Sequence, residues 1–250
     1  MSNRISPSDV IGAIGHTRLV ELRRVVPPGH ARVLVKLESE NPTGSMKDRM
    51  ALAVVDGAAT SGRLRQGGRL VEYTGGSTGT SLAFVCAARS FDITLVTSDA
   101  FSREKRDHMR ALGADVIELP SEDGRITKAL VEAMMDRAAE ISASPDAFYA
   151  DQFNNEDAIV GYASLGREIA EQTGGEIDAF VQAVGTSHCI AGVAQALRVR
   201  RPDISVVAVE PAESAVLSGG QPGSHQIEGV GVGFIPPMWD PKIADEIVPV

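Results

Sequence analysis

The sequence predicts an α/β protein built on a doubly wound parallel sheet, and three observations carry that expectation. Short β-rich runs alternate along the chain with longer stretches of helical periodicity, the order that lays crossover helices over parallel strands. A length of 250 residues, 43% hydrophobic and 23% charged, is ordinary globular composition with ample room for a core. Three strand-to-helix junctions are rich in glycine and hydroxyl residues, and in this architecture ligands gather where strand carboxyl ends meet helix N-termini.

In chain order, the first strand is expected at 32–38, "RVLVKLE", and the first helix at 46–60. Within that helix Met50, Ala53, Val54 and Ala58 recur at helical spacing and are expected to face a sheet. Strand 69–73, "RLVEY", leads to a helix at 78–90; strand 92–97, "DITLVT", to a helix at 102–112; strand 115–119, "DVIEL", to a helix at 125–142. A helix at 155–173 follows, then strand 178–184, "DAFVQAV", a helix at 190–200 and strand 204–209, "ISVVAV". No internal repeat or low-complexity linker interrupts the series.

With 24 basic and 33 acidic side chains, the formal net charge is −9. That balance argues against broad contact with nucleic acid or an anionic membrane and leaves room for a local pocket for a small anion. Two cysteines, Cys86 and Cys189, are too few for a disulfide framework or a cysteine-ligated zinc site, so no metal is expected. No apolar run reaches the ~18 residues of a membrane span. The opening "MSNRISPSDVIGAIGHTRL" lacks the apolar core of a signal peptide, and a cytoplasmic location is expected.

The junctions carry the chemistry. Residues 74–81, "TGGSTGTS", follow a strand and open an apolar helix. Gly75 and Gly76 let backbone approach a ligand, and Ser77, Thr78 and Thr80 add hydroxyls beside free helix-end amides, a setting that suits a carboxylate or phosphate but also a capped tight turn. Asp99, at the end of the next strand, raises a dinucleotide reading, yet the turn lacks the G-x-G-x-x-G spacing. Residues 185–189, "GTSHC", repeat the strand–turn–helix pattern; His188 and Cys189 there are anion contacts or simply packed side chains. Between an apolar strand and a helix, "NPTGSMKDRM" places Lys47 at a helix start. A partly desolvated amine in that position has its pKa lowered from the ~10.4 of free lysine and can condense with an aldehyde. An aldehyde cofactor carrying a phosphate would use Lys47 and one of the two cradles, and pyridoxal phosphate fits that description.

On these segments the chain resembles the cysteine synthase (O-acetylserine sulfhydrylase)/cystathionine β-synthase family of fold-type II pyridoxal-phosphate enzymes. "IGAIGHTRLVEL", "KLESENPTGSMKDR", "EYTGGSTG", "QAVGTSHCIAGV", "VAVEPAESAVLSGG" and "HQIEGVGVGFIP" carry the likeness. The resemblance implies a tryptophan synthase β-like fold of two doubly wound, three-layer α/β domains. The larger would comprise residues 1–45 plus 151–250 and bind the cofactor phosphate; the smaller, 46–150, would bind the substrate carboxylate. It also implies a β-replacement on an O-activated serine through an aminoacrylate, with Lys47 as Schiff-base lysine and general base. Thr74, Gly75, Gly76, Ser77, Thr78 and Gln152 would hold the substrate carboxylate. The cofactor would be bound by Lys47, Ser77, Gly185, Thr186, Ser187, His188, Cys189 and Gly229. A small amino-acid substrate and a homodimer follow by the same analogy.

Three departures accompany the likeness. Ser77 stands where the family usually has an asparagine near the cofactor ring. Ser187, His188 and Cys189 replace a common Gly-Gly-Thr. The chain ends at "ADEIVPV", where the family continues for several dozen residues that include the group facing the pyridine nitrogen. A truncated product or a naturally short form is expected. A pocket open on that side would admit water and favour elimination to pyruvate, the alternative to replacement; a non-catalytic paralogue or truncated form acting as a binding protein is the second alternative.

Overall fold

The computed structural model describes residues 9–250; the first eight residues of the expected larger domain and of the N-terminal segment lie outside them. The chain forms two compact units, one up to Ala150 and one from Asp151.

The first unit opens with an antiparallel pair, β1 (Leu19–Glu21) and β2 (Leu34–Lys36), with Val20 opposite Val35. Helix α1 (Lys47–Thr60) follows, with Asp48 in its first turn, where an acidic side chain complements the positive helix end. Next come β3 (Arg69–Tyr73), α2 (Ser77–Arg89), β4 (Asp92–Ser98), α3 (Arg103–Ala111), β5 (Asp115–Leu119), α4 (Lys128–Ser142) and β6 (Ala147–Tyr149). The four later strands are all parallel, in the order β5-β4-β3-β6. Leu70, Val71, Glu72 and Tyr73 of β3 are all buried, as suits a strand flanked on both edges and covered on both faces. Strands β3, β4 and β5 advance in one direction and β6 returns to the other side of β3. The right-handed crossover rule therefore puts α2 and α3 on one face and α4 on the other.

The buried stripe of α1 differs from the expected one. It consists of Met50, Ala51, Val54, Val55 and Ala58, while Ala53 is half-buried. The stripe packs chiefly against α2. Residues at i, i+1, i+4, i+5 and i+8 form a broad face suited to another helix, and its centre lies one position round from the expected line.

By contact the described part of residues 1–45 groups with 46–150, whereas the family resemblance joins it to 151–250; the discontinuous larger domain stays a proposal. The grouping has a chemical basis, because Arg49 of α1 is ion-paired to Glu38 and Arg89 of α2 lies 3.6 Å from the Asp9 carboxylate.

The second unit runs through α5 (Asp157–Gln172), β7 (Ala179–Ala183), α6 (His188–Arg198), β8 (Ser205–Glu210) and β9 (Glu246–Pro249). Its three strands are parallel in the order β7-β8-β9, and α5 packs against α6. Tyr162, Leu165 and Ile169 of α5 and Ile190, Val193 and Leu197 of α6 are buried, each set at helical spacing.

Candidate active site

Lys47 is the first residue of α1 and half-buried. Its backbone N–H donates to Ser45 Oγ at 3.1 Å. The motif around it is almost wholly spent on fixing the loop. Asp48 is fully buried and accepts from the Thr43 N–H at 2.9 Å and from the Thr43 hydroxyl. Thr43 Oγ1 also lies 3.2 Å from Ser81 Oγ on α2, which ties the lysine loop to the helix that follows the glycine turn. Arg49, 3% exposed, forks onto Glu38 with Nε–Oε2 at 2.7 Å and Nη2–Oε1 at 2.8 Å. The Thr17 hydroxyl donates to the same carboxylate at 2.7 Å, and Asn41 Nδ2 adds donors to the Glu38 carbonyl at 2.9 Å and carboxylate at 3.0 Å. A bidentate, charge-assisted pair of this kind sets direction as well as energy, so the start of α1 is held in one place.

The second cluster of this unit lies at the carboxyl end of β3. That strand stands between β4 and β6, where the strand order reverses, and such a switch point is where open parallel sheets bind ligands. Thr74 is buried, and its Oγ1 accepts the N–H groups of Gly76 at 2.9 Å and Gly79 at 3.0 Å. With both lone-pair positions used, the remaining capacity of that hydroxyl is its O–H donor. Gly76 has φ +151°, and a Cβ there would lie 2.3 Å from Lys105 Cδ, so the turn admits only glycine and Lys105 of α3 lies against it. Ser77 opens α2 and is half-buried; Thr78 is buried.

Asp99 has a structural task. Its carboxylate accepts the Ser121 N–H at 2.7 Å and the Ser98 hydroxyl at 3.1 Å, which removes the feature that raised the dinucleotide reading.

In the second unit, residues 184–187 join β7 to α6, and His188 and Cys189 are the first two residues of that helix. A Cβ on Gly185 would sit 2.5 Å from the Gly229 carbonyl oxygen, so the two glycines expected near the cofactor are adjacent. The loop bearing Gly229 is clamped at Gly231, whose N–H donates to the Val184 carbonyl at 3.0 Å. His225 adds a second clamp. The Ile227 N–H donates to its Nδ1 at 3.2 Å, which assigns the proton to Nε2 for donation to the Gly231 carbonyl at 2.7 Å. His188 is fully buried, with Nδ1 3.0 Å from Thr186 Oγ1. The Cys189 thiol lies 3.6 Å from Gln182 Oε1. Ser187 caps α6 at φ +70° without a side-chain cap bond. Gln152 is buried near the start of the unit.

Sequence reasoning missed the residues that hold this framework: Glu38 and Arg49, Thr43 and Asp48, His225, and Glu210. The last is a buried carboxylate that accepts the N–H groups of Leu217 at 2.8 Å and Ser218 at 2.9 Å. Their signal was charge inside otherwise apolar or small-residue segments, since such groups are buried only when paired.

Each unit holds a feature suited to a phosphate-bearing aldehyde cofactor. In the first, Lys47 supplies an amine at a rigid helix start, and in the second the buried Ser187 hydroxyl lacks a protein partner. Among the described residues no group of three or more metal-ligating side chains occurs, and no helix is long and apolar enough to cross a membrane.

Comparison with known proteins agrees with this chemistry. Residues 10–249 match the family described as pyridoxal-phosphate dependent enzyme. A cysteine synthase of Staphylococcus aureus is 39% identical over 239 residues, 95% of this chain and 75% of that protein. The crystal structure of cysteine synthase from Entamoeba histolytica superposes with a TM-score of 0.90 at 36% identity, covering 100% of this chain and 74% of that one. An O-acetylserine dependent cystathionine β-synthase from Helicobacter pylori superposes with a TM-score of 0.87 at 33% identity, covering 97% and 78%. A lysine at a locked helix start, a glycine turn at a sheet switch point and a relationship extending over nearly the whole chain converge: the chain belongs to the fold-type II pyridoxal-phosphate dependent enzymes, as a cysteine synthase-like member of the cysteine synthase/cystathionine β-synthase group.

Proposed function

We propose that the protein catalyses β-replacement on an O-activated L-serine, adding sulfide or another thiol in place of the leaving group. The observation that carries this reading is the placement of Lys47 as first residue of α1, on a loop locked by Thr43–Asp48 and Glu38–Arg49. A lysine held at one point in space can form and re-form a bond to a cofactor aldehyde and return to the same substrate atom. Bound pyridoxal phosphate supplies the aldehyde and a ring that takes up negative charge from the substrate Cα.

The chain's own groups divide the remaining work. Lys47 Nζ takes the substrate Cα proton and later returns it. Thr74, Gly75, Gly76, Ser77, Thr78 and Gln152 hold the substrate carboxylate, with the Thr74 O–H and the first amides of α2 as donors. Gly185, Thr186, Ser187, His188 and Cys189 hold the cofactor phosphate, and Gly229 packs beside it. Ser77 faces the cofactor ring as well as the carboxylate. The same reading makes the protein a cytoplasmic homodimer acting on a small amino acid.

Structural relatives support replacement chemistry of this type. An O-ureido-L-serine synthase superposes at 37% identity with a TM-score of 0.88, beside the O-acetylserine-dependent enzyme already described. The alternative is β-elimination, favoured by a hydrogen sulfide-producing enzyme from Fusobacterium nucleatum at 31% identity and a TM-score of 0.89. Cofactor-loaded protein is to be offered O-acetylserine or O-phosphoserine with sulfide or homocysteine. Formation of cysteine or cystathionine in excess of pyruvate is expected, and dominant pyruvate formation assigns elimination instead. Lys47→Ala is expected to abolish both products and the borohydride-trapped cofactor adduct seen by mass spectrometry.

A further inference from the structure

We propose that the side-chain hydroxyl of Ser187 is itself a phosphate ligand, donating a hydrogen bond to a cofactor phosphate oxygen at the start of α6. This deepens the assignment of residues 185–189 as the phosphate loop and rests on it. Three observations meet at this one residue. Ser187 is the cap of an 11-residue helix, where a serine oxygen ordinarily accepts an amide two or three positions on, yet it makes no such bond. Its Oγ is buried without a hydrogen-bond partner, and the residue is 3% exposed; a buried hydroxyl left unpaired is unfavourable. Its backbone sits at φ +70° and ψ −17°, a left-handed conformation that disfavours a side chain.

Glycine would remove all three penalties at once. A serine under such conditions is explained when a ligand completes it, because strain and unpaired groups persist where binding compensates them. The hydroxyl lies at the positive end of α6, where an anionic oxygen is stabilised by the helix dipole and by first-turn amides. An O–H donor to a phosphate oxygen is a short, charge-assisted bond. It satisfies the orphaned hydroxyl without demanding any change in the fold.

The test compares pyridoxal 5′-phosphate with pyridoxal, which lacks the phosphate, in binding titrations of the full chain and of Ser187→Ala and Ser187→Gly. The wild-type protein is expected to prefer the phosphorylated form. Each variant should lose about tenfold or more of that preference, the loss of one hydrogen bond to a charged group, with pyridoxal affinity unchanged. Ser187→Gly should also raise the melting temperature of the cofactor-free protein, since glycine accepts positive φ without strain, and this reports an intact fold if the alanine variant is unstable. Retention of the full wild-type preference by both variants overturns the role of the hydroxyl. A wild-type protein that does not distinguish the two compounds overturns the phosphate loop itself.

Discussion

Arg49 shows how much of the lysine's setting is indirect. Its guanidinium is buried, and its partner Glu38 receives further donors from Thr17 and Asn41. Removing one member of a buried pair leaves the other charge uncompensated, at a cost of about 3–5 kcal/mol. Arg49→Met is therefore expected to lower stability by that order and to impair the cofactor attachment proposed for Lys47. The double variant Glu38→Gln/Arg49→Met should recover part of the stability, since no lone charge remains. Denaturant midpoints of the three proteins check this; a single variant as stable as wild type would show that the pair does not hold the loop. At this scale Lys47 was legible because an amine among glycine and hydroxyl residues at a helix start is chemically unusual. Arg49 was not, because its importance depends on Glu38 and on Thr17, 32 positions away, and no local pattern shows that such residues meet.

Elements were legible in proportion to their length. Six expected strands and six expected helices are present with end shifts of a few residues. The exceptions are β1, β6 and β9, which span three, three and four residues. Runs that short hold too few alternations of side-chain direction to separate from loop; β2 is as short but lies inside the longer β-rich run 32–38, and Pro249 in β9 further masks that strand. Helix α6 begins at His188 instead of at residue 190, with Ser187 as its cap. Packing between elements also contains one ionic joint open to measurement. Arg110 and Arg106 of α3 both pair with Glu118 of β5, and the Arg110 hydrogen bond, with the positive charge of Arg106, holds the Glu118 carboxyl below the usual carboxylate range. A lowered folded-state pKa contributes stability above the unfolded pKa of ~4.3 and loses it as pH falls through the folded value. Glu118→Gln should thus destabilise the protein at neutral pH by about 1 kcal/mol or less, given partial exposure. The gap to wild type should close in acid; melting temperatures at neutral and strongly acidic pH that keep a constant gap would assign the loss to packing.

For the molecule as a whole, composition showed no boundary, yet the chain divides at residue 150, and the physical reason lies in how each sheet is completed. Every strand pair of the four-stranded sheet falls within the first unit and every pair of the three-stranded sheet within the second, while average composition carries no record of pairing. The units differ in regularity. Between Ser214 and Glu246 the second unit has no helix or strand, and Ile227, Phe234 and Ile235 in this stretch are exposed. Long irregular segments with little burial open at low free energy. The single tryptophan, Trp239, lies in this stretch, so its fluorescence reports the second unit while far-ultraviolet circular dichroism reports both. Denaturant unfolding of the cofactor-free chain is expected to show the tryptophan transition first, contrary to the coincident probes of a two-state protein. Pyridoxal phosphate should move that transition to higher denaturant if, as proposed, the native loop at 185–189 binds it, because a ligand bound only by the native state stabilises it by mass action. Coincident transitions without cofactor would mean that the two cores unfold as one. A tryptophan transition unmoved by saturating cofactor would mean that the second unit does not carry the phosphate.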